Sequence, residues 1–136
     1  MELSEKAKEL IDDANFGHLA TNMSDGSPHV APVWIGRDGD YLLVGTGAET
    51  LKARNTRRDA RIALSVLDQR NPYREVQIRG TVVEQRRDES LEIMDGIARK
   101  YTGKPFPFRS GKGRIALVIR ADRIRFAELP FAHTPS

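Results

Sequence analysis

Apolar residues change their spacing several times along the chain, and each change predicts an element. Between Leu3 and Phe16 the residues Ala7, Leu10, Ile11 and Ala14 recur at helical intervals behind Ser4, which predicts a short helix with Ser4 as its cap. The rhythm then shortens. The runs "GHLAT", "HVAPVWIG" and "DYLLVGT" are rich in β-branched and apolar residues. They are separated by "NMSDGSP" and "RDGD", and Asp-Gly between two such runs signals a hairpin. Pro32 lies inside the second run and has no N–H for a ladder, so that strand is expected at an edge or a bulge.

Residues 50–58 suit a short helix, and "RIALSVLD" suits a fourth strand. In "REVQIRGTVVEQR" the residues Val76, Ile78 and Val82 share a face, with Gly80 between them, which predicts a long strand bent at the glycine. "DESLEIMDGIARKYTG" predicts a helix capped by Asp88, with Leu91, Met94, Ile97 and Ala98 inward and Gly103 past its end. "KPFPFRSGKG" is a loop, and "RIALVIRADRIRFAEL" supplies the last strand or strand pair. No internal repeat or linker interrupts the pattern. The expectation is one domain over residues 1–136, mainly β (α+β), built as a small antiparallel barrel of six or so strands with peripheral helices.

Composition narrows the function classes. The net charge of +3 is too small for a general nucleic-acid binder. There is no cysteine, so disulfides and thiolate metal sites are out. The start, "MELSEKAKEL", lacks the apolar core of a signal peptide, and no run reaches the roughly 20 apolar residues of a membrane span. A cytoplasmic protein with no membrane partner is the expectation.

The candidate chemistry sits in "GTGAETLKARNTRRDAR", residues 45–61. Lys52, Arg54, Arg57, Arg58 and Arg61 fall within ten positions, against one acid, Asp59. Thr50 is placed to cap a helix starting near Leu51, and a helix N-terminus suits a phosphate. Gly45 and Gly47 allow close backbone approach, Thr46 adds a hydroxyl, and Lys52 lies in the first helical turn. A solvated helix face is the alternative for the same run. The surrounding strand, Gly-Thr-Gly turn and helix start favour an anion site. Residues 49–61 contain no aromatic side chain to stack on bases, which argues against nucleic acid. His18, His29 and His133 have no partner at metal-ligand spacing, so no metal is expected. No nucleophile elbow or paired carboxylates appear, so the chemistry of an enzyme here would belong to a bound cofactor, with no catalytic side chain.

The segments "HLATNMSDGSPHVAPVWI", "YLLVGTGAETLKARNTRRDARIALSV" and "VQIRGTVVE" together resemble the pyridoxamine 5′-phosphate oxidase-like split-barrel family of flavin and deazaflavin proteins. "TLKARNTRRDARIALSV" and "KYTGKPFPFRSGKGRIALVI" resemble the branch that uses the deazaflavin coenzyme F420. The resemblance covers roughly residues 5–127. It implies a six-stranded split barrel and a homodimer with cofactor at the subunit interface. It places Pro32, Val33 and Trp34 along the tricyclic ring, and Gln77 beside it. Thr46, Thr50 and Lys52 would hold the phosphate. Arg54, Arg57 and Arg58 would serve the phosphate or an acidic tail. Two departures argue against pyridoxamine phosphate as substrate. Leu51 stands where true oxidases carry an arginine, and "RIRFAELPFAHTPS" lacks their late arginine-rich motif.

From the residues alone, Trp34 also suits a core or interface position, and Gln77 also suits a solvent-facing strand position. Tyr101, Phe106 and Phe108 suit either a pocket wall or a packed loop. The resulting expectation is an oxidoreductase in which reduced F420 gives hydride to a small conjugated organic substrate. An FMN-dependent oxidase or reductase, or a non-catalytic cofactor-binding protein, are the alternatives.

Overall fold

Alternating buried and exposed positions become one antiparallel sheet in the computed structural model, which describes residues 1–135. The elements are α1 (Glu5–Asp12), β1 (Gly17–Asn22), β2 (Pro28–Val33), β3 (Gly36–Asp38), β4 (Tyr41–Gly47), α2 (Leu51–Arg58), β5 (Arg61–Leu67), β6 (Arg74–Arg87), α3 (Glu92–Thr102) and β7 (Arg114–Glu128). The strand order is β2-β1-β5-β6-β7-β4-β3. Leu19 of β1 and Leu64 of β5 share one buried cluster with Leu42 and Val44 of β4 and Leu117 and Ile119 of β7. Strands from opposite ends of the sheet meet in one core only because the sheet curls on itself, which makes a split barrel. The edge strands β2 and β3 do not pair, so the barrel stays open there.

The sheet has seven strands where six were expected. The run 29–36 breaks at Trp34 and Ile35. The Ile35 side chain is buried and takes part in the core. Its N–H donates to the Tyr101 hydroxyl (3.1 Å) and its carbonyl accepts from Lys100. Two side chains of α3 thus replace the ladder partners, and the chain resumes as β3 beside β4. Pro32 lies in β2, which is an edge strand, as its missing N–H requires.

The Ser4 hydroxyl accepts from the Ala7 N–H (3.2 Å) and caps α1. Its apolar face, Ala7, Leu10 and Ile11, is fully buried. Burying Leu10 and Ile11 contributes about 1.5–3 kcal/mol each. The helix stops before Ala14, which is exposed, contrary to the periodicity. Asn15 closes that end. Its amide donates to the Leu10 carbonyl (2.9 Å) and accepts from the Gln69 N–H (3.0 Å). Asp88 caps α3 from four positions before its first residue, accepting from the Ile93 and Met94 N–H groups at 2.9 Å each. Leu91, at φ 66°, makes the turn between them.

Lys100 ties α3 to the rest. Its ammonium donates to the carbonyls of Ile11, at the end of α1, and Ile35. Burial pushes its pKa down to about 8, against the pull of Asp12 and Asp13. The unfolded chain holds that proton up to the ordinary lysine pKa of about 10.4. Between these values the unfolded state binds more protons, so this group's contribution to stability rises with pH across that window. Urea midpoints at pH 7 and pH 9.5 should show this gain in the wild type, and Lys100→Met should lose it. An identical pH dependence in both proteins would contradict the assignment.

Candidate functional site

The end of β4, the start of α2 and the start of β7 converge on one corner. Thr46 points into the core and is 4% exposed. The Thr50 hydroxyl donates to the Gly47 carbonyl (2.9 Å), so the Thr46 hydroxyl donates to Thr50 (2.8 Å). Thr50 precedes α2 in extended backbone but makes no side-chain cap bond, which corrects the expectation that it caps this helix. The N–H groups of Leu51, Lys52 and Ala53 consequently have no acceptor among the described residues.

Lys52 is half-buried, and its pKa is lowered by burial and then by the nearby Arg114. Arg114 pairs in register with Gly47 across β4 and β7. Burial lowers its pKa too, opposed by Asp88. Its Nε is buried without a hydrogen-bond partner among the described residues. A Cβ at Gly45 would come within 2.5 Å of the Met94 sulfur, so the glycine lets β4 pass close under α3. The Phe106 ring lies 5.0 Å beneath the guanidinium. Phe106 is itself fixed by Asp95, whose carboxylate accepts from the Phe106 N–H (3.0 Å) and from Arg109 (2.8 Å). Neither Lys52 nor Arg114 has a carboxylate within ion-pair distance among the described residues. Two desolvated cations beside free helix N–H groups make a corner whose chemistry suits an anion.

The other arginines of the basic run are placed differently. Arg57 donates to the Ala48 carbonyl (2.6 Å) and to Gln85 (3.2 Å). Arg58 donates to the Asn22 carbonyl (2.7 Å) and to Asn55 (2.9 Å). Both fasten α2 to the barrel. Gln85 adds bonds to the Ala53 carbonyl (2.9 Å) and the Thr56 hydroxyl (3.1 Å). Arg61 pairs with Asp59 at 2.7 Å. Arg54 is exposed and has no partner among the described residues.

The residues expected along a ring divide among three directions. Val33 points into the core. Trp34 is half-buried and stacks on Tyr101, with ring centroids 5.1 Å apart and planes 5° apart. The Tyr101 hydroxyl is held by the Ile35 N–H and the Asn15 carbonyl, so Tyr101 serves packing. Pro32 and Gln77 lie on the outer face of the sheet, in one register row through His18 and Ser65. Gln77 donates to Glu75 (3.2 Å) and borders a cavity of about 600 Å³. Phe108 is exposed on its loop.

Arg114 and Gln85 were not singled out from the sequence. Arg114 stands 62 positions after Lys52, and only the β4–β7 register joins them. The Gly-Lys-Gly before Arg114 was the available cue. No cluster of three His, Asp or Glu able to hold a metal occurs among the described residues. No helix is long and apolar enough to cross a membrane.

The family model described as pyridoxamine 5′-phosphate oxidase matches residues 3–128. The chain belongs to this family. Members of the pyridoxamine 5′-phosphate oxidase family bind flavins, and the fold here is that of flavin-related oxidoreductases. A solved F420 reductase is 29% identical, with a TM-score of 0.82 over 90% of this chain and 98% of that one. A conserved hypothetical protein from Mycobacterium tuberculosis is 25% identical, with a TM-score of 0.76 over 98% and 93%. A putative pyridoxamine 5′-phosphate oxidase from Listeria innocua shares the fold at 21% identity, with a TM-score of 0.71 over 90% and 95%. Among curated proteins there is no match.

Proposed function

We propose that the protein is an oxidoreductase that binds coenzyme F420 and passes hydride from its reduced ring to a small conjugated organic acceptor. The observation that carries this is the convergence of Lys52 and Arg114 on the uncapped start of α2. Like charges desolvated together destabilise the free protein, and a bound phosphate reverses the sign of that interaction. The likeness to an F420 reductase supports the deazaflavin over FMN.

The roles of the chain's own residues follow. Lys52, Arg114 and the N–H groups of residues 51–53 bind the phosphate. Phe106 holds the Arg114 guanidinium in place. Gln85, Arg57 and Arg58 hold α2 in position, and Arg54 is free to meet an acidic tail. When bound, F420 supplies the hydride; the protein orients the ring and the acceptor and excludes water. Pro32 and Gln77 face outward, away from the core side where Thr46 lies. A single ligand reaches both sets most simply across two copies, so the working unit is a homodimer with the cofactor between subunits.

Titrating cofactor-free protein with F420 and with FMN tests the assignment. F420 should bind more tightly, and longer oligoglutamate tails should bind more tightly than short ones at low salt. Arg54→Gln should reduce the tail-length dependence, an exposed pairing of about 0.2–1 kcal/mol that salt screens. Sedimentation should give twice the chain mass. Tighter binding of FMN would move the protein to the flavin-dependent members of the fold.

A further inference from the structure

The helix α2 carries half of the anion corner and lacks what holds the other two helices in place. α1 buries Leu10 and Ile11, and α3 buries Met94 and Ile97, but the only apolar side chain that α2 buries is Ala53. Its eight residues include four cations, Lys52, Arg54, Arg57 and Arg58, and no acid. Arg54 repels Arg57 and Arg58 at helical spacing, and Lys52 opposes the helix dipole from the first turn. The start is uncapped, and an isolated helix needs about 12–15 residues to persist in water. Polar fasteners hold α2 instead. They are the Arg57, Arg58 and Gln85 bonds to carbonyls, and the buried Asn55 amide, which donates to the Thr21 hydroxyl (3.0 Å). The flanking strands do not depend on it. β4 pairs with β3 and β7, and β5 pairs with β1 and β6, so α2 can open without breaking a ladder bond.

We propose that α2 is a conformational switch: in the anion-free protein it opens as a unit while the barrel stays folded, and an anion at its start closes it. The two states differ in what they offer a phosphate. Only the closed helix aligns the N–H groups of residues 51–53 and sets Lys52 beside Arg114. Without an anion, the closed state leaves those N–H groups unmet and holds two desolvated cations together. A phosphate accepts from the N–H groups and turns the repulsion into two attractions. A ligand that binds one state alone shifts the population toward that state. The opening itself releases Asn55 and Arg58 from β1 and Ala53 from Gln85, so the same step that frees the helix dismantles the corner. The switch rests on the anion reading of the corner, and not on which cofactor brings the phosphate.

The test is hydrogen exchange of the cofactor-free protein, followed residue by residue by NMR, with inorganic phosphate as the probe. Without phosphate, the amides of residues 54–58 should exchange faster than those of β6 and β7. Phosphate at ten times its separately measured Kd should slow them about elevenfold, as linkage requires when opening abolishes binding. Lys52→Met keeps the helix propensity and removes the repulsion, so without phosphate its α2 should exchange more slowly than in the wild type. α2 amides that exchange only together with those of β6 and β7 would overturn the switch. So would bound phosphate that leaves their exchange unchanged, or a Lys52→Met protein whose α2 exchanges as fast as the wild type. A protein that binds no phosphate would overturn the switch and the anion corner together. Tighter binding of FMN than of F420 would leave the switch standing, so the two readings fail separately.

Discussion

Lys52→Glu should weaken cofactor binding by about two orders of magnitude while raising the stability of the cofactor-free protein. The substitution removes a charge-assisted hydrogen bond to phosphate and sets a carboxylate against it, an effect of about 2–4 kcal/mol. In the free protein the new carboxylate stands beside Arg114, whose charge now weighs against protonated Lys52. A repulsive neighbour becomes an attractive one, and the uncapped first turn of α2 gains a negative charge near its N–H groups. Lys52→Met separates the two effects, since it removes the repulsion without supplying an attraction. It should bind cofactor less tightly than the wild type but more tightly than Lys52→Glu. In the wild type, affinity should fall as pH rises through the lowered Lys52 pKa, because the neutral amine no longer attracts the phosphate. Cofactor affinity within twofold of wild type in Lys52→Glu would remove the anion corner from consideration. A less stable cofactor-free variant would show that Lys52 and Arg114 do not oppose each other.

What the sequence disclosed was local. Ser4 and Gly103 mark helix ends through short-range hydrogen bonding and backbone geometry and stand where their chemistry predicts, whereas Asp88 reaches the first N–H groups of α3 from three positions before the cap residue Leu91. Gly45, Thr46, Gly47 and Lys52 are close in sequence, so half of the proposed anion corner was visible. Its other half was hidden because Arg114 arrives through strand pairing, and a pairing between β4 and β7 leaves no trace in spacing. The hydroxyl of Thr50 illustrates a second limit. As an N-cap residue type it was expected to serve α2, but a buried Thr46 hydroxyl and the Gly47 carbonyl compete for it and win. Arg57 and Arg58 were expected to serve the phosphate or an acidic tail; the sequence shows their charge but not that their guanidiniums meet the Ala48 and Asn22 carbonyls. The strand count differed by one for the same reason. Val33 to Gly36 is continuous in hydrophobicity, but Tyr101 and Lys100 take the hydrogen bonds of Ile35 and end the ladder.

Gly80 and Gly96 should respond to substitution with opposite signs, although both interrupt predicted elements. Gly80 lies at the first register shift of β6, where the sheet bends. A Cβ there would fall on the Arg120 carbonyl oxygen and within 3.1 Å of the Ile119 side chain. A carbonyl in a paired strand cannot yield without opening the β6–β7 ladder. Gly80→Val should therefore cost about 2–4 kcal/mol, above the usual range for overpacking because backbone must move. The loss should extend to function. β7 carries Arg114 at its start, so a shifted ladder misplaces that cation beside Lys52. Gly96 sits inside α3, exposed, and a Cβ added there would meet nothing within 4 Å. Gly96→Ala only restricts the unfolded chain, and should add about 0.5–1 kcal/mol. Urea denaturation of the two variants checks both signs. A Gly80→Val protein as stable as the wild type would mean that the close approach of β6 to β7 is not required to curl the sheet.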